Sequence, residues 1–362
     1  MKRLLLCFGL VGATLCSGAE WKTAEPGWRY EFPRDHHSHP EFKTEWWYFT
    51  GNLLDEAGRR FGYQLTFFRQ GIRHPQERAP ELSRFVIDDL KFAHFTVTDA
   101  AGERFHFQQK TSRGAFGESG FDRGEELAWI DDWHLRMDSD GVFHLAAQSK
   151  DAAIDLRLAS AKPPVIHGEG GISQKAATAD HASHYYSLTR LTSSGEVRVA
   201  AKTFAVRGES WFDHEWATNQ LAPEQVGWDW LSVHFDDQTE LMLYQMRLTS
   251  GAADPSSSGT VIARDGSTTH LPSSGFRMTP TAFWKAAKSG ARYPIAWRVE
   301  VPEQRLEFSV RAAMPDQELA LMPLAYWEGA VDVEGTRDGK PVSGRGYLEL
   351  TGYAGPLREL QR

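Results

Sequence analysis

Apolar and polar positions alternate in short runs along most of the chain. Runs rich in Phe, Tyr, Trp, Val and Thr fall at 46–54, 61–68, 92–98, 143–148, 154–159, 197–204, 227–235, 240–248, 296–301, 306–312 and 326–335. Gly, Asp and Asn punctuate them, the pattern of half-buried strands joined by turns. One helix is expected, with Thr279 as N-cap, Pro280 in the first position, a body over 281–289 and Gly290 as the stop. A weaker helical turn is expected after Pro80. The reading is all-β, and the strand spacing suits barrels or sandwiches. The stretch 250–259 reads as a flexible hairpin tip rather than a domain linker.

Two hairpins resemble one another. Glu45-Trp46-Trp47-Tyr48-Phe49 leads through an acidic turn to Tyr63-Gln64-Leu65, and Gly227-Trp228-Asp229-Trp230-Leu231 leads to Tyr244-Gln245-Met246. This suggests two related β-domains, 20–215 and 216–362.

The 362 residues are enough for such a pair, at roughly 100–200 residues per domain. Aromatic content is high at 12%, with 13 Trp, and large aromatic rings in such number suit walls as well as core. The net charge of -8 carries no basic bias and speaks against nucleic-acid binding. Mean hydropathy of -0.47 excludes a multispanning membrane protein. The first 19 residues read as a signal peptide. Lys2 and Arg3 precede an apolar run, and Ser17-Gly18-Ala19 offers a cleavage site. Both cysteines, Cys7 and Cys16, lie in this segment. A periplasmic or secreted address follows as an expectation.

The densest chemistry lies at Ser210-Trp211-Phe212-Asp213-His214-Glu215-Trp216. A carboxyl among aromatic rings has its proton affinity raised, which suits Asp213 as a general acid with His214 beside it to orient it. In the first hairpin Trp46 and Tyr48 share one face, with Glu45 and Trp47 on the other. Trp228, Trp230, Ser232 and His234 share a face of the second. Near the C-terminus, a two-residue turn at Asp338-Gly339 sets Arg337 opposite Lys340 and therefore Glu328 opposite Glu349. Facing like charges destabilise a sheet. A cation such as Arg345 or Arg69 lies between them, or they share a proton, or the register differs; otherwise the face is solvated.

Other motifs fail. His36, His37 and His39 read as surface-loop histidines, and no metal site is expected. Thr218 stands where a zincin helix needs its second His. Gly168-Glu169-Gly170-Gly171 breaks the dinucleotide fingerprint, and Gly208-Glu209-Ser210-Trp211-Phe212 lacks the last Gly of a nucleophile elbow. No cofactor is implied.

The run from His39 to Leu53 resembles the opening signature of the carotenoid 1,2-hydratase superfamily, which includes secreted proteins related to the AttH component of an ABC transport system. Further similarity lies at 168–175, 183–190, 208–216 and 326–353, so the resemblance spans roughly residues 35–355. It implies two packed lipocalin-like β-barrel domains and a small apolar ligand, isoprenoid or lipidic, held in an aromatic cavity. Asp213 and His214 are then the candidate catalytic residues for acid-catalysed hydration of a C=C bond. Glu45, Trp46, Trp47, Tyr48, Tyr185, Tyr186, Trp216, Trp228, Trp230, Tyr244 and Glu328 are the candidate ligand-binding residues. One departure is that the strand 241–248 carries no carboxylate, where a hydratase is expected to place one. The alternative is a non-catalytic periplasmic carrier or accessory protein working with an ABC-type membrane complex.

Overall fold

The computed structural model describes residues 19–79, 83, 85–321 and 325–357. The expected signal peptide falls almost wholly outside that range, as does most of the expected helical turn after Pro80. The first sheet opens with β1 (Thr44–Asp55), β2 (Arg60–Gly71), β3 (Asp89–Asp99) and β4 (Arg104–Ser112), which step outward from its centre. From the opposite edge β5 (Ser119–Arg123), β6 (Glu126–Ile130), β7 (Trp133–Met137), β8 (Phe143–Gln148) and β9 (Ala152–Ser160) step back. The short β10 (Val165–Ile166) and β11 (Ser173–Gln174) lie against β12 (Ala182–Val199). Finally β13 (Lys202–Ala217) closes between β12 and β1.

The second sheet repeats this plan. Outward go β14 (Gln225–Phe235), β15 (Glu240–Leu248), β16 (Ser258–Ile262) and β17 (Thr268–Pro272). Back come β18 (Arg277–Lys285), β19 (Arg292–Val301) and β20 (Leu306–Ala312), with β21 (Glu318–Ala320) beside β22 (Ala325–Arg337), until β23 (Lys340–Leu350) pairs with β14. The chain is therefore all-β, in two curled, barrel-like sheets. Among the described residues the only helices are three-residue 3-10 turns. The two similar hairpins are the first in each sheet, but their pairings differ. Gln64 faces Thr50, whereas Gln245 faces Asp229.

Each sheet wraps its own core, around Trp47, Phe49 and Phe212 in the first and Trp297, Phe308 and Trp327 in the second. A third cluster lies in the seam between the sheets. Tyr48, Tyr185 and Trp211 come from the first sheet, and Trp230, Tyr244 and Tyr347 from the second. Burying each large side chain of this kind contributes roughly 1.5–3 kcal/mol.

Three expectations need correction. The stretch 279–289 is not a helix. Its first half belongs to β18, the edge strand of the second sheet, where Pro280 does not have to donate to a second neighbour. The run 197–204 is not one strand. Ala200 takes a positive φ of 54° and reverses the chain between β12 and β13, with neither Gly nor Pro to announce it. The loop between β15 and β16 is tied down within its length, because Gln225 Nε2 donates to Asp254 at 2.9 Å.

Candidate functional site

Successive side chains of a strand point to opposite faces, and this divides the Asp-His-Glu-Trp run of β13. Trp211 and Asp213 face the seam, while Phe212, His214 and Trp216 enter the interior of the first barrel. The pairing of Asp213 with His214 as one catalytic unit is thereby overturned: adjacent in sequence, they lie on opposite sides of the sheet. Neighbouring strands divide in step. Trp46, Tyr48 and Tyr185 join the seam, whereas Glu45, Trp47 and Tyr186 line the barrel interior. From the second sheet Trp228, Trp230, Tyr244 and Glu328 complete the seam.

In the seam, Asp213 is 4% exposed. Trp211 Nε1 donates to its Oδ1 at 2.5 Å, Tyr185 OH to its Oδ2 at 2.7 Å, and Ser187 Oγ to Oδ1. Trp230 Nε1 donates in turn to Tyr185 OH at 3.1 Å. His167 bridges Ser187 (2.6 Å) and Thr260 (2.8 Å), so the network reaches across to the second sheet. Burial pushes the Asp213 carboxyl up to about 7, against the pull of these donors.

The expected register of the C-terminal hairpin holds. Arg337 faces Lys340 and Glu328 faces Glu349, with Asp338 and Gly339 both at positive φ in the turn. The face is not solvated. The first sheet covers it, Tyr48 OH donates to Glu328 Oε2 at 3.0 Å, and Glu328 is 1% exposed. Neither suggested cation intervenes, since Arg69 binds Glu45 at 3.1 Å and Arg345 faces Asp332. Burial, then the charge of Glu349, pushes Glu328 well above the usual carboxylate range. Glu349 is half-buried, and desolvation lifts it to about 7 against the pull of the Trp228 indole. Protonation is what relieves the like-charge contact. Half-buried Trp46 and Trp228 edge the seam cluster, and half-buried Tyr326 stands on the strand beside Glu349. Close by, Lys175 pairs with Glu215 at 2.9 Å, with its Nζ 4.2 Å from the Tyr244 ring centre.

The barrel side of β13 holds a different cluster. Glu45 accepts the backbone N–H of His39 (2.9 Å to Oε2) and Arg69 Nε (3.1 Å), and its Oε1 meets His39 Nδ1 (2.8 Å) and His214 Nε2 (3.0 Å). Burial raises Glu45, but its partners His214, His39 and Arg69 outweigh it and hold the carboxyl well below its ordinary range. His39 stacks on Trp216 at 3.7 Å and 7°. His36 bonds Tyr186 OH at 2.6 Å, and Trp47 Nε1 donates to the His36 carbonyl at 3.0 Å. His36 and His39 are thus not surface-loop histidines. The 3-10 turn Arg34–His36 carries them into the barrel, and only His37 stays outside, on Asp122.

Several participants were not singled out from sequence. Glu349 was placed by register but not chosen, and strand alternation would have added Glu215 to Asp213. Lys175 and His167 stand on irregular segments beside β10 and β11, which carry no periodic signal. Nothing local links His39 or Asp35 to a strand that begins several residues later.

Two open grooves lie at other points of the junction between the sheets. One, of about 470 Å³, lies between Asn52, Glu209, His234, Asp332 and Arg345; the other, of about 330 Å³, lies between His106, Lys288 and Asp316. Both are polar at their walls, unlike the aromatic seam.

A profile of the AttH-like family matches residues 23–353. A crystal structure of a Nitrosomonas europaea protein assigned as an AttH aligns with 92% of this chain and 99% of its own, at 34% identity and a TM-score of 0.81. Kievitone hydratase from Nectria haematococca has the same fold, with a TM-score of 0.70 at 13% identity over 89% of this chain and 93% of its own. CghA in complex with Sch210972 gives a TM-score of 0.53 at 11% identity over 86% and 90%. No curated protein sequence matches.

Proposed function

Since the chain belongs to the AttH-like family, we propose that its seam binds a small apolar, unsaturated molecule and adds water across a C=C bond by acid catalysis. The observation that carries this reading is the facing Glu328–Glu349 pair, which has neither suggested cation beside it and is bordered by aromatic rings. Kievitone hydratase has the same fold, so the fold accommodates a hydratase. Fold alone does not assign chemistry; the carboxyl pair does that here.

In the proposed reaction, half-buried Glu349 gives its proton to one alkene carbon, and the neighbouring carbon becomes a carbocation. The faces of Trp46 and Trp228 stabilise it through their ring quadrupoles. Water adds to the cation and returns a proton to the carboxyl pair, so the acid is regenerated. Tyr48 fixes Glu328 in place behind it. Asp213, saturated by three donors, holds Tyr185 and Trp230 in position rather than meeting the ligand itself. The carboxyl absent from 241–248 is then supplied by β22 and β23. An isoprenoid or lipidic ligand and an exported location are part of the proposal, supported by the aromatic seam and by Lys2, Arg3 and the cleavable pattern at 17–19.

The test begins with extraction of whatever the purified protein carries, then incubation of that ligand in heavy-oxygen water. Gain of one labelled water, lost in Glu349→Gln while binding persists, is the expected result. A ligand bound and returned unlabelled would instead support a carrier or an accessory protein of an ABC-type complex, the role suggested by the family.

A further inference from the structure

The seam leaves one buried polar cluster without a task, on the opposite side of β13. We propose that His39 Nδ1, Glu45 Oε1 and His214 Nε2 bind a divalent transition-metal ion inside the first barrel. This goes beyond the seam reaction and does not depend on it.

The three atoms lie within 4.8 Å of one another, and all three residues are buried. Metal bonds of roughly 2.0–2.2 Å require the present contacts of 2.8 and 3.0 Å to open by only a few tenths of an ångström. The hydrogen-bond pattern itself asks for a positive centre. His214 Nδ1 stands 2.9 Å from the backbone carbonyl oxygen of Asp35, which can only accept, so Nδ1 carries the hydrogen. In the neutral ring Nε2 then aims its lone pair at Glu45 Oε1, 3.0 Å away. Two lone pairs do not face each other unless a cation or a second proton lies between them.

The outer partners are those of a ligated site. Metal-binding histidines donate their second ring nitrogen to a carboxylate or a carbonyl, which fixes the tautomer. Here one residue serves both rings: the Asp35 carboxylate lies 3.4 Å from His39 Nε2, and its carbonyl holds His214. Arg69 occupies Glu45 Oε2, and the His39 backbone N–H reaches both oxygens (3.0 and 2.9 Å), so an ion on Oε1 would share that oxygen with one N–H donor. Trp216, on which His39 stacks, has a buried indole N–H with no partner among the described residues. Two imidazoles and one carboxylate favour zinc, iron(II) or manganese(II) over calcium or magnesium. Such an ion would tie the segment carrying Asp35 and His39 to β1 and β13.

Full-length protein stripped with chelator, then titrated with Zn²⁺ by calorimetry and with Co²⁺ by visible absorption, tests this. The expected result is one equivalent bound with a submicromolar dissociation constant, and Co²⁺ bands of a nitrogen–oxygen site. His39→Gln and His214→Gln should each weaken binding at least 100-fold with the circular dichroism unchanged, and Asp35→Asn should cost about 10-fold. Absence of stoichiometric binding to the native chain, or unchanged binding in both His variants, overturns the proposal and makes the bridge a proton. Should a variant misfold, the histidine ring resonances of the native chain decide. Co²⁺ must shift those of His39 and His214, and a shift confined to other histidines overturns the site.

Discussion

Asp213, Glu328 and Glu349 all hold protons more tightly in the folded chain than in the unfolded one. Between about pH 4 and 7 these three carboxyls therefore make a contribution to stability that falls as pH rises, whereas the buried histidines His36, His94, His167, His184 and His234, whose proton affinity burial lowers, make one that grows up to about pH 6.5. Each group contributes a slope of up to about 1.4 kcal/mol per pH unit. Urea midpoints at pH 5 and 8 isolate one carboxyl by difference: relative to the native chain, Glu349→Gln should gain stability at pH 8 that it does not gain at pH 5. A hydration activity carried by Glu349 should likewise fall above pH 7. The carboxyls held low, Glu45 and Asp35, add stability that grows as pH rises and is complete by about pH 5, the lower of the two measurements. Tyr48→Phe leaves Glu328 without its donor and should cost about 1–2 kcal/mol in the same denaturation experiment. At this scale the sequence was informative where geometry is rigid. The Asp338-Gly339 turn permits one register, and that register brings Glu328 and Glu349 together. It was silent on which face is covered, because that depends on Tyr48, which lies far away along the chain.

Among elements, the close approach of β2 to β22 decides how tightly the seam shuts. A Cβ on Gly62 would stand 2.8 Å from Ala330 Cβ. Gly62→Ala should destabilise the chain by about 1–3 kcal/mol, and adding Ala330→Gly should recover much of that loss. A double-mutant cycle measured by thermal melting reads the coupling directly, and purely additive effects would refute the contact. Strands with aromatic or β-branched alternation were legible, and β8, β15 and β20 fall where the pattern sets them. Elements whose signals compete were not. Thr279, Pro280 and Gly290 carry helix-boundary signals, yet the same segment supplies Phe283 and Trp284 to an edge strand that tolerates Pro. The turn at Ala200 lacks every residue that usually marks one.

For the molecule as a whole, the third core makes the two sheets interdependent. Tyr48, Trp230 and Tyr347 are buried only because both are present. Circular dichroism and tryptophan fluorescence should follow one coincident transition, and residues 20–217 expressed alone should aggregate or remain molten. Two separate transitions would show that the seam contributes little. The presence of two β-units was readable from the paired hairpins, since each sheet begins with one. That the shared surface gathers Asp213, Glu328 and Glu349 was not, because no local pattern encodes how two sheets face. The strand that separates the two environments leaves a signature of its own. In a saturation mutagenesis of β13, tolerance should oscillate with a two-residue beat. Changes at 212 and 216 should be felt as lost protein abundance, and changes at 211, 213 and 215 as altered ligand selectivity. What reads as one acidic-aromatic word in the sequence is two messages interleaved letter by letter.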